Sequence, residues 1–234
     1  MIYRRLWFVY ARALISCMLF LACVVPPGRA TAGQPFETDD PEPVACHHVE
    51  VDLQYSKQGP NPSTAPSIEV DYGPTQNIEL SVAAQPGETG VGSAIRFVTE
   101  TKSRPQIGFL PEIVFKRDGS SESFLPIWIQ KSVGKFTIYG GSGVSPTYVS
   151  SGVTVQYHAH HNSSYGAEFF TDNPRTPANQ AMPRFNIGYT DQLDEAHAIM
   201  LSAGRNFGPD ARYRFYVGYQ VIFAPKGHAS NCKE

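Results

Sequence analysis

The stretch YRFYVGYQVIF, residues 213–223, is the most regular segment of the sequence and the best guide to its fold. Its odd positions, from Tyr213 to Phe223, are all large and apolar or aromatic, whereas its even positions include Arg214 and Gln220. Alternation with a period of two is typical of a β-strand whose two faces meet different surroundings. A soluble sandwich or barrel and a membrane barrel all use this pattern, but they place the apolar face against different solvents.

The same alternation recurs along the whole region 46–223. Polar faces occur on nearly all the runs, and a closed barrel with lipid outside and a polar lumen accommodates both faces without an exposed edge. Pro111 and Pro126 fall inside predicted strands, so we expect them at bulges or strand ends. A short helix capped by Asp194 is the alternative for residues 194–204. The twelve predicted strands are 49–55, 68–72, 78–82, 91–100, 105–116, 123–131, 135–144, 147–158, 164–171, 183–190, 196–205 and 212–223.

The connections between these runs alternate in length. Tight turns at 73–77, 101–105, 132–135 and 161–164 are interleaved with looser loops at 57–64, 117–123 and 171–183. Short periplasmic turns and longer external loops are typical of bacterial outer-membrane barrels. The sequence therefore predicts an all-β, up-and-down antiparallel transmembrane β-barrel of about 12 strands. An even strand count places both termini at the periplasmic end and pairs the first strand with the last.

The N-terminus predicts export. Residues 1–32 combine early arginines, an apolar run at 13–25 and the small triplet Ala30-Thr31-Ala32, which is typical of a cleaved signal peptide. Residues 33–45 form an acidic, proline-rich leader, which we expect to be extended and solvated. The barrel then occupies 46–223, and residues 224–234 form a periplasmic C-terminal tail. This organisation predicts localisation in the bacterial outer membrane.

Charge and motifs exclude several functions. Without the four arginines of residues 1–32, 15 basic side chains face 21 acidic ones, a formal charge of −6 that argues against nucleic acid as a partner. No GxSxG elbow or phosphate-binding glycine loop is present. The sequence therefore predicts a protein that is not an enzyme and needs no cofactor.

Lumen-facing charges are the best candidates for function. They either line a selective polar pathway or pair across the lumen and fill it. We predict a passive channel or transporter for small solutes, aromatic or hydrophobic ones included. The alternatives are a closed structural or envelope-interaction barrel and a soluble periplasmic ligand-binding barrel, whose aromatic faces would point inward. The predicted lumen-lining residues are Glu50, Asp52, Glu69, Asp71, Glu79, Glu112, Glu168, Arg205, Arg214 and Gln220.

Two cysteines remain after removal of the signal peptide. Cys46 and Cys232 lie near the two ends of the folded region, and an oxidising periplasm makes a disulfide chemically reasonable. Unpaired thiols are a second possibility. The third is a soft-metal site, a weak alternative because the spacing of Cys46, His47, His48, His228 and Cys232 is not a zinc-finger pattern.

Several segments resemble a bacterial family of outer-membrane transporters named for the meta-pathway of phenol degradation. They span the mature chain in order and include PFETDDPEP (35–43), IEVDYGPTQNIELSV (68–82), LPIWIQKSVGKFTIYGGSG (125–143) and GYQVIF (218–223). The resemblance implies a small barrel that passes small solutes, with outer-membrane lipids and the barrel-assembly machinery as partners. Tyr219 and Phe223 resemble the aromatic signal that this machinery recognises, although 11 residues follow Phe223 here.

Overall fold

A computed structural model describes residues 35–36, 38, 40–58, 65–159, 162–176, 181–207, 212–224 and 232. The predicted signal peptide and most of the predicted tail lie outside these residues. The strands are β1 Val49–Gln58, β2 Ala65–Tyr72, β3 Ile78–Gln85, β4 Glu88–Val98, β5 Gln106–Phe109, β6 Glu112–Lys116, β7 Ser121–Val133, β8 Phe136–Val144, β9 Tyr148–His158, β10 Ser163–Pro174, β11 Met182–Gln192, β12 His197–Asn206 and β13 Tyr213–Phe223.

Antiparallel pairing closes these strands into a barrel. Strands β5 and β6 are two halves of one crossing, since both pair with β4 on one side and β7 on the other. The last strand, β13, pairs with the first, β1, so the sheet has no free edge. The closed barrel of 12 antiparallel crossings confirms the predicted fold class. Among the described residues, no helix is long and apolar enough to span a membrane.

The two unusual prolines lie side by side at one interruption of the sheet. Pro111 separates β5 from β6, and the backbone oxygen of Pro126 accepts a hydrogen bond of 3.1 Å from the N–H of Leu110 at the same break. In an antiparallel strand the N–H and C=O of one residue point to the same neighbour. The missing N–H of Pro126 therefore faces the interruption, where no regular ladder partner is required. This confirms the expectation for Pro111, and it shows why a proline is tolerated inside β7.

The helix considered for residues 194–204 is wrong. His197–Asn206 form strand β12, and Asp194 closes the preceding turn instead of capping a helix. Its carboxylate accepts hydrogen bonds from the backbone N–H groups of Ala196 and His197, at 2.8 and 3.0 Å. The bond from Ala196, followed by the contact with the His197 ring, lowers the pKa of the Asp194 carboxyl. Asp194 therefore accepts backbone hydrogen bonds, as a helix cap would, but it does so in the turn between β11 and β12.

The outer face of the barrel is an apolar belt bordered by aromatic rings. Large side chains such as Val82 and Ile187 point outward and are about half exposed. Aromatic pairs border the belt at the end of the barrel that holds the chain termini, here called the terminal end, with ring centroids 5.1 Å apart for Phe136–Tyr157 and 5.0 Å for Tyr165–Tyr189. Exposed rings including Tyr213 border it at the opposite, loop end. The soluble barrel is therefore wrong, because it requires the aromatic faces to point inward.

A disulfide joins Cys46 to Cys232 beside the seam between β1 and β13, with the two Cα atoms 6.3 Å apart. This decides between the three possibilities for the cysteines, because the bond leaves neither thiol available as a metal ligand. His228 lies outside the described residues. Nearby, His48 Nδ1 is 2.9 Å from the backbone oxygen of Cys46.

We expect the disulfide to be detectable by electrophoresis. Unfolded wild-type protein should migrate faster without reductant than with it, because a bond spanning 186 residues keeps the denatured chain compact. Cys46→Ser should remove the shift and leave one reactive thiol at Cys232. A wild-type protein that reacts with two equivalents of a thiol reagent, after removal of its signal peptide, would contradict the bond.

Candidate functional site

The described residues of the predicted leader, 35–36, 38 and 40–45, lie inside the barrel, so the expectation that the leader is solvated is wrong for them. Phe36 is 5% exposed and Thr38 is 0% exposed, and Pro41 and Pro43 are also buried. An extended, proline-rich segment has few backbone N–H groups to satisfy, which makes it suited to a lumen that offers few regular partners. These described residues between 35 and 45, here called the inner leader, occupy part of the lumen.

Glycines on three neighbouring strands make room for the start of the inner leader. A Cβ atom at Gly166 or Gly188 would overlap the ring of Phe36, and one at Gly152 would overlap the side chain of Thr38. These three positions face the lumen on β10, β11 and β9. The absence of side chains there leaves a shallow track against which the inner leader packs.

Hydrogen bonds fix the inner leader at both ends. The N–H of Thr38 donates to Glu168 Oε1, and Asn186 Nδ2 donates to the other carboxylate oxygen of Glu168 at 2.7 Å. At the far end, the N–H of Val44 donates to Glu79 Oε2 at 2.7 Å. The inner leader therefore crosses the lumen from the wall of β9–β11 to the wall of β1–β3.

Aromatic side chains fill the lumen on the β7–β10 side. Trp128 and Tyr139 are almost completely buried, and Phe170 is buried next to the glycine track. The guanidinium of Arg184 lies 5.2 Å from the centre of the Phe170 ring. Together with the inner leader, these rings close this half of the barrel to any sizeable solute.

The open space lies along the opposite, acidic wall. Two adjoining cavities of about 280 and 180 Å³ share Glu69 and Glu112 in their walls, and the larger one also reaches Glu79 and Ser81. Glycines at 90 and 92 leave room between β3 and β6. A lumen that is filled on one side and acidic on the other can pass or hold a small neutral or cationic solute.

Nine of the ten predicted lumen-lining residues face the lumen. They lie on the inward side of their strands, whether deeply buried like Gln220 or partly buried like Arg214. Arg205 is the exception and the prediction for it is wrong. It shares the outward face of β12 with Leu201, and its guanidinium lies 5.4 Å from the centre of the Tyr213 ring at the loop end. A long cationic side chain at this depth can reach the polar membrane boundary.

One alternative for the lumen was that its charges pair across it and fill it. In the described part of the chain, the salt bridges do not show this pairing for the main lumen acids. Salt bridges among the described residues include Lys116–Glu122 at 3.0 Å and Arg184–Asp172, but none of these salt bridges involves Glu50, Asp52, Glu69 or Glu79. Arg96, another basic residue that faces the lumen, lies 3.8 Å from Glu42 of the inner leader. The acidic wall therefore contains several carboxyl groups that these salt bridges do not neutralise.

The sequence reading missed the inner leader and its glycine track. PFETDDPEP has no periodicity that signals burial, and its role depends on glycines more than 100 residues further along the chain. Gly152, Gly166 and Gly188 all fall at lumen-facing positions of adjacent strands, which indicates free space in the lumen but not the segment that occupies it.

Solved outer-membrane proteins share this barrel. The KdgM porin superimposes with a TM-score of 0.57 at 12% identity, covering 75% of this chain and 99% of that chain. The NanC porin gives 0.58 at 8%, covering 73% and 98%, and an outer-membrane channel from Pseudomonas putida F1 gives 0.58 at 9%, covering 81% and 100%. No protein-family model and no curated protein matches the chain. At these identities the likeness shows the fold alone: a closed β-barrel of the kind found in outer-membrane porins.

Proposed function

We propose that this protein is an outer-membrane channel that passes small neutral or cationic solutes by passive diffusion along its acidic wall. The observation that carries the proposal is a cavity of about 280 Å³ lined by Glu69, Glu79 and Glu112, inside a barrel whose outer face is apolar. Charged side chains lining a pore select ions by their sign. The inner leader restricts the pathway, so only small solutes pass.

The location follows from the same proposal. The apolar belt and its aromatic borders suit a bilayer, residues 1–32 act as the export signal, and Tyr219 and Phe223 lie on the outward face of the last strand, where the assembly machinery can reach them. Membership of the transporter family named for the meta-pathway of phenol degradation is part of this proposal and rests on the segments quoted above.

The acidic wall also restricts the class of solute. One structure of KdgM is described as a complex with disordered oligogalacturonate, which is a polyanion. An acidic lumen would repel such a ligand, because like charges in a confined space raise its free energy. We therefore assign small neutral and cationic molecules to this protein, despite its structural likeness to KdgM.

Planar-bilayer recording of folded protein tests this function. We expect small, steady conductance steps with a preference for K⁺ over Cl⁻ in a salt gradient, because the lining is acidic. Glu69→Lys combined with Glu112→Lys should reduce or reverse that preference by placing two positive charges on the cavity wall.

Glu195→Lys is the control, since it makes the same kind of substitution once, with half the charge change of the double variant, at an exposed turn on the terminal end. Its reversal potential should stay close to the wild-type value. An anion preference in the wild-type protein, or the same shift in both variants, would refute the acidic pathway.

A closed structural barrel is the second candidate, and the filling of the lumen by the inner leader and by aromatic rings favours it. It predicts no conductance from protein that shows the heat-dependent gel migration of a folded barrel. Silence from wild-type protein, together with silence after removal of residues 35–41, would establish this second candidate in place of the channel.

A further inference from the structure

Three carboxylates meet beside the seam of the barrel. Glu50 and Asp52 project inward from β1, and Asp71 projects inward from β2, directly opposite Glu50. All three are buried, and one oxygen from each lies within 4.8 Å of the others. Like charges placed directly opposite one another on paired strands destabilise the sheet unless something neutralises them.

Gln220 on β13 lies directly opposite Asp52 on its other side. The amide is 0% exposed, and its Nε2 donates a hydrogen bond of 2.6 Å to Glu50 Oε1. This bond orients the amide towards the carboxylates, yet its Oε1 has no hydrogen-bond partner among the described residues. A buried carbonyl oxygen without a partner destabilises the folded protein, so its retention points to a missing positive partner.

Asp52 also points to a missing positive partner. It is 3% exposed, and although its carboxyl group also interacts with the Gln220 amide, its Oδ1 has no hydrogen-bond partner in the described part of the chain. No salt bridge found among the described residues reaches Glu50 or Asp52. Asp40 of the inner leader and Glu79 lie close enough to act on Glu50 electrostatically, which adds to the negative charge.

We propose that Glu50, Asp52, Asp71 and the amide oxygen of Gln220 form a binding site for one calcium ion. Calcium binds oxygen ligands at about 2.3–2.6 Å, so ligands on opposite sides of the ion are about 4.6–5.2 Å apart. One oxygen from each of the three carboxylates lies within 4.8 Å of the others, so one ion can contact all three. Magnesium usually keeps several waters and binds only one or two carboxylates, so three carboxylates and an amide oxygen favour calcium.

The position of the site gives calcium a structural role. Its ligands come from the first, second and last strands, so the ion joins the two ends of the chain across the seam. It also neutralises charge near Asp40, which allows the acidic inner leader to lie against an acidic wall. This role is independent of solute transport and holds for an open or a closed barrel.

Terbium luminescence and calcium-dependent melting of the folded, detergent-solubilised full-length barrel test the site. Terbium replaces calcium at oxygen-rich sites, and the phenol of Tyr216 is close enough to Asp52 to interact with it electrostatically. After removal of metal by EDTA, we expect one equivalent of terbium to give tyrosine-sensitised emission that calcium displaces. Tyr216→Phe should weaken the emission and leave calcium affinity unchanged.

Asp52→Asn is the decisive variant, because it removes one ligand charge and relieves the repulsion between acids. It should fold at least as well as wild type in EDTA, bind calcium at least about tenfold more weakly, and lose the rise in melting temperature that calcium gives the wild type. Glu112→Gln, which removes a lumen acid from another strand, should keep wild-type affinity. No saturable calcium binding by the wild type, or equal losses in both variants, would overturn the proposal.

Discussion

Lysine at Val82 is expected to destabilise the folded barrel by about 2–4 kcal/mol, the cost of placing a cation on the lipid face near the bilayer midplane. Val82 is 50% exposed, points outward from the centre of β3 and lies between Val70 and Val91 on the adjacent strands. Its Nζ would be surrounded by acyl chains, and the described residues that flank it on that face, Val70 and Val91, are apolar. Urea unfolding in lipid vesicles, followed by the heat-dependent shift on gels, measures the loss.

Ser81→Lys is the matched control for this experiment. Ser81 is the preceding residue, yet it faces the acidic cavity that contains Glu69, Glu79 and Glu112. A lysine there gains three nearby carboxylates and water, so its cost should be well below that of Val82→Lys. Equal losses in the two variants would mean that the two faces of β3 do not meet different solvents, and would remove the basis for a membrane location.

Leucine at Gly166 should increase conductance several-fold by displacing the inner leader. A Cβ atom at this position would already overlap the Phe36 ring, so the larger leucine should push the segment away, and Thr38 and Glu168 would then lose their hydrogen bond. Single-channel recording at fixed salt concentration measures the result. The reason is geometric: a wider lumen carries more ions.

Two further variants make this result interpretable. Ala167→Leu adds the same side chain one residue along on the outward face, and its conductance should match the wild type. Removal of residues 35–41 eliminates the segment without touching a strand, and should increase conductance at least as much as Gly166→Leu. Wild-type conductance after the deletion would show that the aromatic rings of β7–β10, and not the inner leader, set the size of the pathway.

The barrel could be predicted from the sequence because its signal is local. Alternation of apolar and polar residues can be recognised within about ten residues. In YRFYVGYQVIF it identifies both faces of the strand without information from the rest of the chain. The approach of Cys46 to Cys232 followed from the even strand count, although the bond itself did not. Pro111 and Pro126 were recognised as unusual residues for a strand. Their common explanation, one interruption of the sheet, became visible only from the pairing of β5 and β6 with β7.

The residues that line and fill the lumen were harder to predict than the strands, for two different reasons. Arg205 was assigned to the lumen because it is charged. Its spacing of four residues from Leu201 places both on the same face of β12, so the error could have been avoided. The inner leader was not predictable in the same way, because its burial results from contacts between an aperiodic segment and glycines on three distant strands. Contacts of that kind depend on the closed barrel, and no local pattern encodes them.

The seam also bears on how the chain assembles. Strand β1 pairs with β13, so the first strand to be synthesised cannot complete its backbone pairing until the last strand has been made. Contacts so distant in sequence form late. Because Cys46 and Cys232 are 186 residues apart and lie beside this seam, closure of the barrel holds them within bonding distance. Newly made protein, sampled over time for both disulfide content and heat-dependent gel migration, would therefore show whether oxidation precedes or follows closure in the cell.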